Sequence, residues 1–230
     1  MKSVFVITAL AWIVAATPIP NPGLAIDLEE VASVEARRVV GITADEFKQG
    51  GCRDVIWFFA RGSTEAGNMG TIVGPPTASA LKRVLGSDNV AIQGIDYPAL
   101  VSTNLLPGGA DLGGIREMAS LLTQAANDCP NSSILAGGYS QGAALTHRAI
   151  ENLPDNVKNA IDGVVTFGDT KNLQDRGQIP NFPREKVRIF CNRGDLVCSG
   201  TLTITAAHLT YGNDAEEAAA FLAGRVNAAA

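Results

Sequence analysis

The chain has 230 residues, enough for one domain with a sizeable buried core, and its 46% hydrophobic and 18% charged content excludes a large disordered region. A formal net charge of -5 leaves no basic surface of the kind that phosphate backbones require, which excludes nucleic acid as a partner.

The chain opens on a targeting pattern. Lys2 supplies a short positive region, Val4 to Val14 are almost wholly apolar, and Ala15 and Ala16 precede Thr17 and Pro18, which suits cleavage after Ala16. This apolar run is too short to cross a hydrocarbon core, which needs roughly 20 residues, and no later segment qualifies, so no membrane span is expected. Residues 1–16 read as a signal peptide, 17–30 as a pro-segment or loose arm, and 31–230 as a single domain. The expected location is extracellular.

Beyond the arm, short apolar runs rich in β-branched and aromatic residues occur at Asp54–Ala60, Val90–Tyr97, Ser133–Tyr139, Gly163–Gly168 and Val187–Cys191. Each is bounded by Gly, Asn, Asp or Pro, the pattern of strands buried on both faces. Between and after them lie segments of helical spacing at 110–128, 141–153 and 216–229. Strands alternating with helices predict a mostly parallel five-stranded sheet in a three-layer α/β-hydrolase-type sandwich. The sites of such sheets lie at the carboxyl ends of their strands. Attention therefore falls on the residues just after each apolar run.

Gly138-Tyr139-Ser140-Gln141-Gly142 fits G-x-S-x-G between a predicted strand and a predicted helix, the context of a nucleophile elbow. A serine hydroxyl is a weak nucleophile and needs a base. Only two histidines exist. His147 lies two helical turns beyond Ser140, about 10 Å from the hydroxyl, so it reads as a packed or surface helix residue. His208 remains. An acid between serine and histidine in chain order must orient the imidazole, and both Asp169 and Asp195 qualify. Asp195 is preferred because it sits between Cys191 and Cys198, whose bridge would hold its loop in one geometry. Asp169 reads instead as a cap on the segment that follows it. One oxyanion donor is the backbone N–H of Gln141, and the turn after the first strand offers Ser63 as a second.

Four cysteines behind a leader imply two disulfides, and three pairings are open. The short spacing of Cys191 and Cys198 suits a small loop, leaving Cys52 with Cys129 across a large one. A zinc site is set aside because there is no C-x-x-C pair. No metal and no cofactor is expected.

The segments Phe59–Glu65, Gly138–Gly142, Cys191–Cys198 and Ala207–Gly212 together resemble the signatures of the cutinase family of serine esterases, and the resemblance runs from about Gly51 to Arg225. It implies Ser140, Asp195 and His208 as a triad, with Ser63 and Gln141 as the oxyanion hole. It further implies that Asn104 orients the Ser63 hydroxyl, and that the disulfides are Cys52–Cys129 and Cys191–Cys198.

The interval from Ser140 to Gly163 holds little more than one helix, too little for a lid domain. Ser140 is thus expected in an open groove with apolar lips from the Leu100–Leu106 loop, Leu105 included, and from Leu202 and Ile204. That shape suits a polyester or lipid-like ester at a surface, with cutin of the plant cuticle as the implied substrate, attacked by a monomer. The alternatives are a carbohydrate deacetylase of the acetylxylan esterase type and a secreted binding protein without catalysis.

Overall fold

The computed structural model describes residues 39–229, so the expected leader and arm, with the first residues of the expected domain, lie outside the described residues. Five strands form one sheet: β1 (Val55–Ala60), β2 (Val90–Gly94), β3 (Ser133–Tyr139), β4 (Ile161–Phe167) and β5 (Val187–Phe190). Their order is β2-β1-β3-β4-β5 and every pairing is parallel. All five predicted runs became strands, shortened or shifted by a few residues at their ends, where the chain turns into loops. The helices are α1 (Glu46–Gly50), α2 (Gly74–Leu85), α3 (Leu112–Asp128), α4 (Gln141–Glu151), α5 (Asp155–Ala160) and α6 (Ala215–Ala229). Three of these were predicted. Helix α2 was not, because it opens on Gly74-Pro75-Pro76; proline is tolerated there since first-turn N–H groups have no intrahelical partner.

The pleat of β1 shows how the layers form. Ile56, Phe58 and Ala60 pack on one face with Met118 and Leu122 of α3, Leu145 and Ala149 of α4, and Val157 of α5. Val55, Trp57 and Phe59 pack on the other with Ala78 and Leu81 of α2 and Ala218 and Leu222 of α6. Successive side chains point to opposite faces, so an unbroken apolar strand demands cover on both sides.

From β1 the chain moves outward to β2, and from β3 it moves the other way to β4 and β5. The sheet therefore has a topological switch point between β1 and β3, where loops diverge and leave a crevice at the strands' carboxyl ends. The register pairs Ala60 with Gly138, bringing the Arg61–Glu65 turn beside Ser140. At the opposite end, a disulfide joins Cys52, just before β1, to Cys129, just after α3; a second joins Cys191 to Cys198 beyond β5. No helix among the described residues is long and apolar enough to cross a membrane.

Candidate active site

Ser140 occupies the turn between β3 and α4 with φ 55° and ψ -116°, a left-handed backbone rare for a side chain larger than glycine. The turn is tight enough that a Cβ on Gly138 would lie 2.1 Å from the Gly142 carbonyl oxygen, and one on Gly142 would lie 2.0 Å from that of Ala60. Both motif glycines are therefore steric requirements. The Ser140 N–H donates to the Phe167 carbonyl at 2.9 Å, tying the turn to the end of β4.

The structure brings together the residues singled out from sequence. His208 Nε2 lies 3.0 Å from Ser140 Oγ, and His208 Nδ1 lies 2.8 Å from Asp195 Oδ2. The distances form one hydrogen-bonded chain from a serine hydroxyl to a buried carboxylate. His208 stands on a short 3-10 turn, Ala206–Leu209, and Tyr139, the variable residue of the motif, packs a stacked ring on it and donates its hydroxyl to the His208 carbonyl at 2.7 Å. Asp195 accepts two further hydrogen bonds, from the Val197 N–H at 3.0 Å and the Tyr211 hydroxyl at 2.7 Å. Burial and the bond to Asp195 push the Tyr211 pKa up, which keeps that hydroxyl a donor. The carboxylate thus has a fixed position.

Asp169 is engaged elsewhere. Its Oδ2 meets His147 Nε2 at 2.8 Å and the Thr166 hydroxyl at 2.8 Å, while Oδ1 accepts from the Lys171 N–H, the capping contact expected of it. His147 is not on the surface: it is wholly buried, with Nδ1 2.8 Å from Asp175 Oδ2. A ring whose two nitrogens both face carboxylates must donate from both, so it is an imidazolium. Burial opposes that charge, but Asp169 and Asp175 outweigh it and raise the His147 pKa to about 9. Asp169 and Asp175 both face His147, and the carboxylate hydrogen-bonded to His208 is Asp195.

Ser63 lies across the groove. Its Oγ accepts from Asn104 Nδ2 at 2.9 Å and from the Gln141 side-chain amide at 3.1 Å, so its own hydrogen is free to donate. The turn that carries it is built on Glu65, whose Oε2 accepts from the Gly62 N–H at 2.7 Å and whose Oε1 accepts from the N–H groups of Thr71 and Ile72 at 2.8 and 2.9 Å. Arg61 closes the turn from below, bonding the carbonyls of Glu65 and Tyr97. Sequence reasoning missed Glu65, Arg61 and Tyr211, since the groups they hold lie on backbone or on other loops.

Over these groups runs a groove of about 560 Å3, bounded by Val101 and Asn104 on one side and by Leu202, Ile204 and Leu209 on the other. Leu202 and Ile204 line it as expected. Leu105 does not: it is 78% exposed and stands outside the lining, whereas Val101, at the start of the same 3-10 segment and part of the same expected lip, lines the groove.

An α/β sandwich with a serine–histidine–aspartate chain at its switch point defines a hydrolase class, and comparison with known proteins gives the family. The sequence profile of the cutinase family matches residues 51–226. The chain is 50% identical to a probable cutinase of Aspergillus terreus over 223 residues, 96% of each chain, and 47% identical to cutinase 3 of Emericella nidulans over 96% of each. Among solved structures, a Trichoderma reesei cutinase bound to a phosphonate inhibitor superposes with a TM-score of 0.73 at 31% identity, covering 88% of this chain and 93% of that one. An acetylxylan esterase shares the fold, with a TM-score of 0.56 at 18% identity over 76% of this chain and 99% of that one. The chain belongs to the cutinase family and is a carboxylic ester hydrolase.

Proposed function

We propose that the protein is a secreted, monomeric polyesterase that hydrolyses cutin and related short- to medium-chain esters through an acyl-enzyme on Ser140. The observation that carries the reading is the chain of 3.0 and 2.8 Å contacts from Ser140 through His208 to Asp195 at the floor of an apolar-lipped groove. As Ser140 Oγ attacks the ester carbonyl carbon, its proton passes to His208 Nε2, and Asp195 stabilises the resulting imidazolium through Nδ1–H. The carbonyl oxygen, now negative, meets the Ser63 hydroxyl and the Gln141 N–H, donors that are already oriented before substrate arrives. Asn104 is a positioning residue for that hydroxyl. Collapse of the tetrahedral intermediate breaks the ester C–O bond, and His208 returns the proton to the leaving alcohol. Water then repeats the sequence and releases the acid.

The open groove and the exposed Leu202 and Ile204 favour a substrate presented on a surface. The apolar, small-residue-bounded start of the chain and two disulfides suit export into an oxidising compartment. The test is turnover of nitrophenyl esters from acetyl to long acyl chains, with Ser140→Ala alongside. Preference for butyryl or longer esters, lost by about 10⁴-fold or more in the variant, is the expected result. A sharp preference for acetate would move the reading to a carbohydrate deacetylase. Equal turnover by the variant would remove Ser140 from the chemistry.

A further inference from the structure

A smaller recess of about 180 Å3 adjoins the groove, walled by Asn104, Thr170, Lys171, Gln174, Thr201 and Leu202. Asn104, Thr170 and Leu202 also line the groove, so the two spaces share an edge. Their chemistry differs. The groove is rimmed by Val101, Leu202, Ile204 and Leu209, whereas the recess has an ammonium and an amide in its wall.

Lys171 Nζ makes no hydrogen bond or ion pair among the described residues; the bonds of this residue are those of its backbone, whose N–H donates to Asp169 Oδ1 and whose carbonyl accepts from the Asp175 N–H. The acids whose charge reaches it are occupied. Asp169 is held by His147 and Thr166, Asp175 by His147 and Arg148, and Glu151 by Arg148. Its Cε and Nζ lie over Gly109, another residue of the recess wall, in space that a Cβ at that position would take, which sets the ammonium at the recess. Partial burial, reinforced by the Arg148 guanidinium, holds its pKa below the usual lysine range, and an anion arriving beside it would offset both effects. His208, which in the proposed reaction meets the leaving alcohol, lines the groove and not the recess, whereas Asn104, bonded to the oxyanion donor Ser63, lines both, so the recess is assigned to the acyl arm.

The geometry points to an acyl-end subsite for a carboxylate: the recess takes the free acid end of an acyl arm derived from a dicarboxylic acid, with Lys171 as counter-ion and the Gln174 amide beside it. The inference rests on the esterase reading and names a substrate class for that same site, the half-esters of dicarboxylic acids that arise when a polyester chain ends in an acid.

The test compares mono-nitrophenyl esters of dicarboxylic acids of increasing length with the same molecules capped as methyl esters at the far end. The readout is the ratio of kcat/KM for the free-acid substrate to that for the capped one. At the length that spans groove and recess, Lys171→Gln is expected to lower this ratio by about fivefold, the worth of a partly exposed ion pair. Lys171→Arg should keep most of the ratio, Lys171→Glu should lower it further, and high salt should shrink it in the wild type. A ratio identical in wild type, Lys171→Gln and Lys171→Glu at every length overturns the subsite. If the wild type hydrolyses neither substrate, it is the esterase reading that fails. Calorimetric binding of the non-hydrolysable dicarboxylic mono-amide then decides the subsite, since only a working subsite weakens in Lys171→Gln.

Discussion

Ser140 holds a positive φ because β3 must hand over to α4 within one residue, and the glycines on either side leave no other path. That strain aims the hydroxyl at His208, on a segment 68 residues away. In the proposed reaction a similar division of labour exists across the groove, where Ser63 would supply a hydrogen and the bonds from Asn104 and Gln141 fix where it points. Asn104→Ala is therefore expected to lower kcat by about ten- to a hundredfold with little change in KM, because a misdirected donor is felt mainly when the oxyanion forms. Steady-state kinetics on a butyrate ester checks this, and a change confined to KM would assign Asn104 to substrate binding instead. At this scale the sequence was legible where chemistry is rare. With two histidines in the chain, distance along a helix removed one and left the other. Glu65 was not legible, because an acid beside a serine in a polar turn looks like any surface acid until Gly62, Thr71 and Ile72 converge on it.

Pairs of elements are joined by three devices, each with its own expected signature. The first is the His147 cluster, which ties α4 to the loop after β4. His147 is raised from 6.5 to about 9, so its contribution to stability is fully present below about pH 6.5 and is lost as pH climbs through about 9. Asp169 runs the other way. Although burial opposes its charge, His147 holds it below 3.8, so its contribution is present above that pH and is lost as pH falls through the lower folded value. Between about pH 7 and about 9.5 the Tm of the wild type should fall more steeply than that of His147→Gln; equal slopes would mean that the buried ring carries no charge. The other two devices are the disulfides. Cys52–Cys129 spans 77 residues and Cys191–Cys198 spans 7, which in the chain-entropy model correspond to about 4 and about 2 kcal/mol. The long bridge lies at the end of the sheet away from Ser140, and the short one encloses Asp195. Replacing Cys52 and Cys129 by serine should lower Tm more and kcat less than replacing Cys191 and Cys198; the reverse ranking in melts and rates would refute this assignment.

For the whole molecule, the groove lies open at the carboxyl edge of a parallel sheet, and no domain among the described residues folds over it. Leu202 and Ile204 are half-exposed there although burying the remaining half would be favourable by about 0.7–1.5 kcal/mol each, a standing incentive to meet an apolar surface. Replacing both by serine should reduce release of acid from an insoluble polyester by tenfold or more, while turnover of a soluble butyrate ester falls only about two- to threefold. Parallel losses on both substrates, followed by product titration, would place these residues inside the acyl site alone.

The sequence by itself determined the five strands, the α/β class, the elbow at Ser140 and the histidine that stands beside it, because these depend on local periodicity, on steric demands within five residues, and on a count. Tertiary structure decided the rest. It paired Asp169 with His147, left Leu105 out of the groove while keeping Val101 in it, and set the Lys171 ammonium in a recess without a side-chain partner among the described residues. Those outcomes turn on which loops meet at the switch point of the sheet, and hydrogen bonds between distant loops leave no periodic trace in the chain.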